Sequence, residues 1–155
     1  MADSTTPYLA FNFTVALQAG SGSGTDVIGG FSDVSGLHTE ITVAEYRSGN
    51  ALENHTSKFP SVSKAGDVTL KRGIVQNTDI TEWIEQVRTT GVAGKRASVV
   101  ITLLDEQRQP VATWTLRSVM PIKWTGPTLA AKGGADVAME ELVLSAEKID
   151  FAFSN

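Results

Sequence analysis

Alternation of apolar and polar residues with a period of two runs along most of this chain, and it constrains the fold more than any other feature. Residues that alternate in this way form half-buried β-strands, in which successive side chains point to opposite faces of a sheet. A short polar connection at 105–109 joins two such segments and predicts a β-hairpin. The alternating segments are 11–18, 39–46, 67–71, 97–104, 110–119 and 136–153, and a further strand is predicted at 120–124. The chain is therefore predicted to be mainly β.

One segment, about 79–90, has helical spacing instead. Asp79, followed three positions later by Glu82, predicts the N-terminal cap, and Gly91 predicts the C-terminal end. The apolar residues of this segment fall on one helix face: Ile80, Trp83, Ile84 and Val87. Such a face packs against a sheet. The predicted fold is thus two packed antiparallel sheets, a β-sandwich or distorted barrel, with one short flanking α-helix.

Length and composition exclude several classes of function. The chain has 155 residues, which predicts a single domain over 1–155 with a flexible N-terminus at 1–7. Cysteine is absent, and the two histidines, His38 and His55, have no matching set of ligands, so neither a metal nor a cofactor is predicted. Without a secretion signal or a long apolar segment, the chain is expected to fold in the cytoplasm and not to insert into a membrane.

Motifs that could carry catalysis or nucleotide binding are incomplete. The glycines at 20–24 and the Gly94-Lys95 pair precede strands and lack the residues of a phosphate-binding loop. Glu140 and Glu141 are neighbours in a predicted strand, so they point to opposite faces and cannot act as an acid/base pair. Because no nucleophile is paired with a base, the chain is predicted not to be an enzyme.

Two features fit an isolated monomer poorly. Residues 47–66 have neither strand nor helix periodicity and predict a long loop, a kind of segment that is usually functional or disordered. This loop contains apolar residues at Leu52, Phe59 and Val62, which predicts that it docks on another surface. In addition, an open set of this many strands leaves sheet edges that must be covered, charged or paired. Pairing with identical copies is one solution.

Seven segments, in this order, resemble one known family. They are YRSGN at 46–50, KFP at 58–60, DVTLKRG at 67–73, LLDE at 103–106, WTLR at 114–117, PIKWTGP at 121–127 and VAME at 137–140. The chain resembles the tube proteins of contractile tails, which occur in T4-like phages and in phage-derived contractile injection systems. The resemblance extends from about residue 8 to residue 153.

The resemblance implies a structural role. Members of this family form six-fold rings that stack into a rigid hollow tube inside a contractile sheath, with baseplate, spike and capping proteins at the ends. One sheet of each copy joins a continuous β-barrel around the lumen, through which an effector protein or DNA passes. The tube would be assembled in the bacterial cytoplasm and belong to an extracellular or cell-anchored particle or to a virion tail.

The resemblance also implies which residues meet a neighbour. The 47–66 loop would reach the next subunit or ring, and its candidate contact residues are Tyr46, Arg47, Asn50, Leu52, Phe59 and Val62. Strands 39–46 and 137–146 are the candidates for the lumen wall, with Glu40, Thr42, Glu140 and Glu141 as polar residues facing it. The formal charge of −4 per chain, repeated around a ring, would then give a negative wall that repels DNA.

An alternative interpretation is a small β-sandwich binding module, such as a lectin or an adhesin. That function needs an exposed aromatic platform or a loop that holds a metal. The chain has few aromatic residues, 7% of the total, and most of them occupy positions typical of a core.

Overall fold

The computed structural model describes residues 6–18, 26–27, 30–76, 78–91, 96–134 and 136–154. The described residues form ten β-strands and one α-helix. The strands are β1 (Phe13–Gln18), β2 (Asp26–Val27), β3 (Asp33–Ser35), β4 (Thr39–Tyr46), β5 (Ser57–Ala65), β6 (Val68–Gly73), β7 (Ala97–Leu104), β8 (Pro110–Thr125), β9 (Met139–Ser145) and β10 (Lys148–Phe153), and the helix is α1 (Asp79–Thr90). The prediction of a mainly β, antiparallel fold with one helix is confirmed.

The sheet order follows from antiparallel pairing of successive or nearby strands. Eight strands form one connected sheet in the order β2-β1-β7-β8-β9-β6-β3, with β10 also paired to β8. The remaining two, β4 and β5, pair with each other in a separate hairpin. Among the described residues the sheet ends at β2 and β3 and does not close into a barrel.

Strand β8 belongs to two layers and folds the sheet over itself. Its first part pairs with β7 and β10, and its last part, from Met120 to Thr125, pairs with β9. Between these parts Ser118 adopts φ 52°, and the register against β7 shifts beside it. Such a bulge bends a strand and increases its twist. We call β2, β1, β7, β10 and the first part of β8 the β1 layer, and β9, β6, β3 and the last part of β8 the β6 layer.

The core lies between the two layers. Both layers contribute side chains with almost no exposed surface: Val15, Val99, Ile101 and Leu116 from the β1 layer, and Val68, Leu70, Leu142 and Leu144 from the β6 layer. Burying one such side chain contributes roughly 1.5–3 kcal/mol before entropy is subtracted. Helix α1 adds Ile80 and Trp83 to the same cluster, which confirms that its apolar face packs against the sheet.

The helix has the predicted bounds but a different N-cap. Thr78 occupies that position and its hydroxyl donates to the Glu82 carboxylate at 3.0 Å, whereas Asp79 lies within the first turn. At the other end Gly91 follows the helix with φ 57°, as predicted from its lack of a side chain. None of the helices formed by the described residues is long and apolar enough to span a bilayer.

One prediction about the backbone is wrong. The segment 47–66 is not a loop throughout, since residues 57–65 form β5 and only 47–56 connect it to β4. Both faces of this strand are open, so no burial pattern revealed it, and Pro60 opposed a strand assignment. Several predicted features lie outside the described residues: the Gly-Ser connector at 20–24, Gly94-Lys95, and residues 1–5 of the N-terminal segment 1–7.

Candidate functional site

The β4–β5 hairpin stands out because nearly all of its residues are exposed on both faces. At its base, the Gly66 N–H donates to the His38 carbonyl at 2.9 Å, and the His38 N–H donates to the Gly36 carbonyl at 2.9 Å. Gly36 has φ +87°, a conformation that favours glycine. The hairpin therefore leaves the body of the domain through a tight, hydrogen-bonded turn, and β5 touches β10 on the way out.

Four of the six predicted contact residues are large apolar or aromatic side chains exposed on this hairpin. Tyr46 ends β4, Phe59 (53% exposed) and Val62 (69% exposed) lie on β5, and Leu52 at the tip is fully exposed. Monomeric proteins rarely expose so many large apolar side chains on one element. The hairpin is therefore the candidate contact surface of the domain.

The other two predicted contact residues shape the tip. The Arg47 guanidinium donates to the carbonyls of Ala51 at 3.4 Å and Glu53 at 3.5 Å, which ties the connection back to the end of β4. Asn50 accepts a hydrogen bond from the Ser48 hydroxyl through its side-chain oxygen. Arg47 and Asn50 thus hold the conformation that presents Leu52.

The β6 layer has two edges without a partner strand among the described residues. One is β3, which pairs with β6 only, and the other is the last part of β8, which pairs with β9 only. Trp124 lies on that second edge and is half exposed. Its indole N–H donates to the Glu140 carboxylate at 3.0 Å. A free edge exposes backbone donors and acceptors that readily pair with another chain.

The predicted polar residues of the lumen wall are not on one surface. Glu141 lies on the open face of the β6 layer, and its carboxylate is 3.7 Å from the Lys71 ammonium. Glu140, its neighbour, points between the layers and forms an ion pair with Arg72, so the two glutamates do not share a face. Glu40 and Thr42 share one face of β4 in the hairpin, away from both.

A cluster of three aromatic side chains extends the core face of the β1 layer to the surface. Trp114 on β8 and Phe151 on β10 have ring centroids 5.3 Å apart, and Phe153 lies 4.9 Å from Phe151 in an edge-on arrangement. Phe151 and Phe153 are both exposed. No sequence signal marks this cluster as a surface, because alternation alone predicts core positions for all three.

Histidine and carboxylate side chains are dispersed over the described part of the chain. No three histidine or carboxylate side chains there are placed to hold a metal ion. Hydrogen bonds from Arg117 and Lys148 hold the pKa of the Asp150 carboxyl below its ordinary value. That cluster is an exposed ion-pair network of β8 and β10, and its carboxylate is engaged by two cations.

Comparison with protein families supplies the deciding observation. The family model described as T4-like virus tail tube protein gp19 matches residues 9–150. The chain belongs to the T4-like tail tube family. As a member of this family, the protein is a structural tube subunit. The exposed β4–β5 hairpin and the free sheet edges are therefore features of a tail tube protein. Among curated protein sequences, none matches this chain.

Solved structures agree with this assignment. A chain of the anti-feeding prophage (AFP) baseplate, solved by cryo-EM with 6-fold symmetrisation, superposes with a TM-score of 0.81 at 26% identity, covering 96% of this chain and 97% of that chain. A chain of the PVC sheath–tube complex, an extracellular contractile injection system in its extended state, superposes with a TM-score of 0.82 at 23% identity. The match covers 97% of this chain and 95% of that chain. Hcp1 of E. coli EAEC 042 shares the fold at a TM-score of 0.50 and 14% identity over 94% of each chain.

Proposed function

We propose that this tail tube protein assembles into stacked rings of six that enclose a lumen, and that the tube conducts an effector protein or DNA through a target envelope. The observation that carries the proposal is the pair of free edges on the β6 layer. In a ring, β3 of one copy would pair with the last part of β8 of the next. Closure of this kind removes every free edge of that layer and gives a continuous barrel.

The hairpin supports stacking of one ring on the next. Its strand β5 has nine residues, so at about 3.3 Å per residue it extends roughly 30 Å, enough to reach across a neighbouring subunit. Burial of Leu52, Phe59 and Val62 against that neighbour would remove the largest exposed apolar surfaces of the hairpin from water. Because every subunit of a ring would repeat this moderate contact, the contacts together would hold two stacked rings stably.

The partners and the cellular setting are proposed from the neighbours. The AFP structure is a baseplate, and the PVC structure is a complex of sheath and tube. Another AFP chain with the same fold comes from the cap that terminates the tube. We therefore place this subunit inside a contractile sheath, between a baseplate with its spike and a terminating cap. It would be made and assembled in a bacterial cytoplasm without enzymatic activity.

Electron microscopy of the purified protein tests the proposal, with and without its baseplate partners as initiators. The wild type is expected to give six-fold rings or tubes. Leu52→Asp places a charge in the stacking contact and is expected to leave folded rings that do not stack, while Leu52→Met keeps the contact and stacks normally. Wild-type protein that stays monomeric even with the baseplate, or Leu52→Asp protein that forms normal tubes, would contradict the proposal.

The alternative of a glycan-binding module gains no support from the aromatic cluster. A flat platform for a sugar needs aromatic rings that lie in nearly parallel planes. The Trp114 and Phe151 planes are inclined by 40°, and those of Phe151 and Phe153 by 75°. Such inclined rings are typical of packing between side chains.

A further inference from the structure

We propose that the aromatic cluster of Trp114, Phe151 and Phe153 is a docking surface for a second copy of this chain, and that it receives Trp124 of that copy. The proposal rests on the proposed function, in which β3 of one copy pairs with the last part of β8 of the next. It names the side chains that would form a shared core between two copies of a ring.

The cluster lies where the cover over the β1 layer ends. Ile149 of β10 lies directly opposite the buried Leu116 of β8, so alternate residues of β10 share the core face of this layer. Ile149 packs against the core, whereas Phe151 is 51% exposed and Phe153 is 67% exposed. The cover over this face therefore ends between Ile149 and Phe151.

Strand β3 is the edge of the β6 layer at this place. Val34 on β3 and Leu37 after it line an opening whose other wall includes Trp114. Within the described ranges, no strand pairs with the outer edge of β3. The ring of Phe151 lies 5.3 Å from that of Trp114, so the cluster is at the rim of the sandwich on the side of β3.

The opposite edge of the β6 layer has a matching uncovered side chain. Trp124 lies directly opposite the buried Leu142, so it is on the core face of the layer, yet it is half exposed. Its indole N–H donates to the Glu140 carboxylate at 3.0 Å. Burial of the Trp124 ring against another copy would therefore leave no donor of this side chain without a partner.

The two uncovered regions are complementary when copies pair edge to edge. The last part of β8, then β9, β6 and β3, alternate in direction, so β8 of an identical copy continues the sheet when it pairs antiparallel with β3. The core face of the added strand is then turned toward the β1 layer of the first copy. Trp124 lies on that face, and the side chains it would meet are Trp114 and Phe151.

This contact cannot form within one chain. Trp124 and β3 are on opposite edges of a layer in which β9 and β6 lie between them. Three strand spacings separate the two edges by about 14 Å. Large aromatic side chains dominate the binding energy of many interfaces, so a Trp between two other aromatic rings is expected to contribute strongly to ring formation.

Thiol cross-linking tests the contact directly, because the chain contains no cysteine of its own. Trp124→Cys is combined with Phe151→Cys, and a short bis-maleimide joins the thiols, since packed aromatic positions are wider apart than a disulfide allows. Ladders of covalently linked chains are expected on denaturing gels. Leu52→Cys with Phe151→Cys is the matched control, which tests the hairpin tip as the occupant and is expected to link at least about tenfold less.

Side-chain substitutions measure how much the cluster contributes. Phe151→Asp places a charge in the contact and is expected to raise the protein concentration at which rings form by about tenfold or more. Phe151→Leu keeps an apolar side chain and is expected to assemble within about threefold of wild type. Urea denaturation of the separate subunits checks that both variants fold. If Phe151→Asp does not fold, the cross-linking pair decides the question.

The outcomes separate this contact from the proposed function. Wild-type protein that forms no rings even with baseplate partners would overturn both. Rings in which positions 124 and 151 do not link, or a folded Phe151→Asp variant that assembles like wild type, would overturn the aromatic contact alone. Efficient linking through position 52 would show that a hairpin occupies the cluster, and it would overturn the assignment to Trp124.

Discussion

Arg72 and Glu140 lie directly opposite each other on β6 and β9, and their side chains form an ion pair between the two layers. The Arg72 side chain is only 2% exposed and that of Glu140 is 11% exposed. The guanidinium also lies over the ring of Phe31, 5.6 Å from its centroid, while the carboxylate accepts the Trp124 N–H. The pair thus connects the centre of the β6 layer to the free edge on β8.

Removing the carboxylate of this pair is expected to destabilise the subunit strongly. Glu140→Ala leaves the Arg72 charge buried without its carboxylate and should lower the free energy of unfolding by about 3 kcal/mol. Urea denaturation of the soluble subunit measures it. The matched control is Glu141→Ala, which breaks the exposed contact to Lys71 and should cost less than about 1 kcal/mol.

A double variant separates charge burial from packing. Replacing both partners, as in Arg72→Met with Glu140→Leu, removes the two buried charges together and should recover most of the stability lost in Glu140→Ala. A double variant as unstable as the single one would show that the ion pair itself is not what the site requires.

The Asp150 network predicts a pH-dependent contribution to stability. Arg117 and Lys148 lower the pKa of this carboxyl in the folded state. The stability that the Asp150 carboxylate contributes is therefore present at a pH above its pKa in the unfolded chain. It is lost as the pH falls through the lower pKa that this carboxyl has in the folded state. Asp150→Asn should be less stable than wild type at neutral pH, and the difference should vanish in acid.

Thermal melts of both proteins between neutral and strongly acidic pH measure this effect. Arg117→Gln removes the first of the two donors and should reduce the same pH-dependent difference. A gap between wild type and Asp150→Asn that stays constant with pH would rule out the carboxylate as its source.

A side chain at Gly36, at the base of the hairpin, is expected to destabilise the fold. It has φ +87°, and an added Cβ would lie 2.1 Å from the carbonyl oxygen of Asp67. Gly36→Ala should therefore cost at least about 2 kcal/mol of unfolding free energy. Gly49→Ala near the tip meets nothing within 4 Å and should change stability by less than about 0.5 kcal/mol. Equal effects of the two substitutions in chemical denaturation would refute the steric account.

The stability of the fold should depend on the shape of the side chain at Ser118, in the bend of β8. Its φ of 52° is costly for a β-branched residue. Ser118→Val is expected to lower the free energy of unfolding by about 1–2 kcal/mol, while Ser118→Gly stays close to wild type. Differential scanning calorimetry of the three proteins measures the effect. A valine variant that melts with wild type would mean that the bend tolerates a different backbone.

Much of the fold could be predicted because a strand or helix with one buried face has a regular pattern of apolar and polar residues. The helix at 79–90 was found with correct bounds since its apolar face and terminal glycine are both local signals. Strand β8 was predicted as two segments, 110–119 and 120–124, because its alternation breaks at the bend beside Ser118. The break is a bulge within one strand.

The missed features depend on contacts between distant parts of the chain. Strand β5 has both faces open, so no apolar side marks it. The pairing of Arg72 with Glu140 and that of Lys71 with Glu141 require a strand register that no local pattern specifies. The inward direction of Glu140 could not be predicted for the same reason, since alternation separates it from Glu141 but does not say which of them faces inward.

The continuity of β8 through both layers has a mechanical consequence. Layers that meet only through side chains can slide past each other when one of them is pushed. Here a load on the edge that carries Trp124 travels along covalent backbone, through the bend at Ser118, into the strand pairs formed with β7 and β10. A load on the β6 layer is thereby shared with the β1 layer, so the two layers of one subunit resist shear against each other.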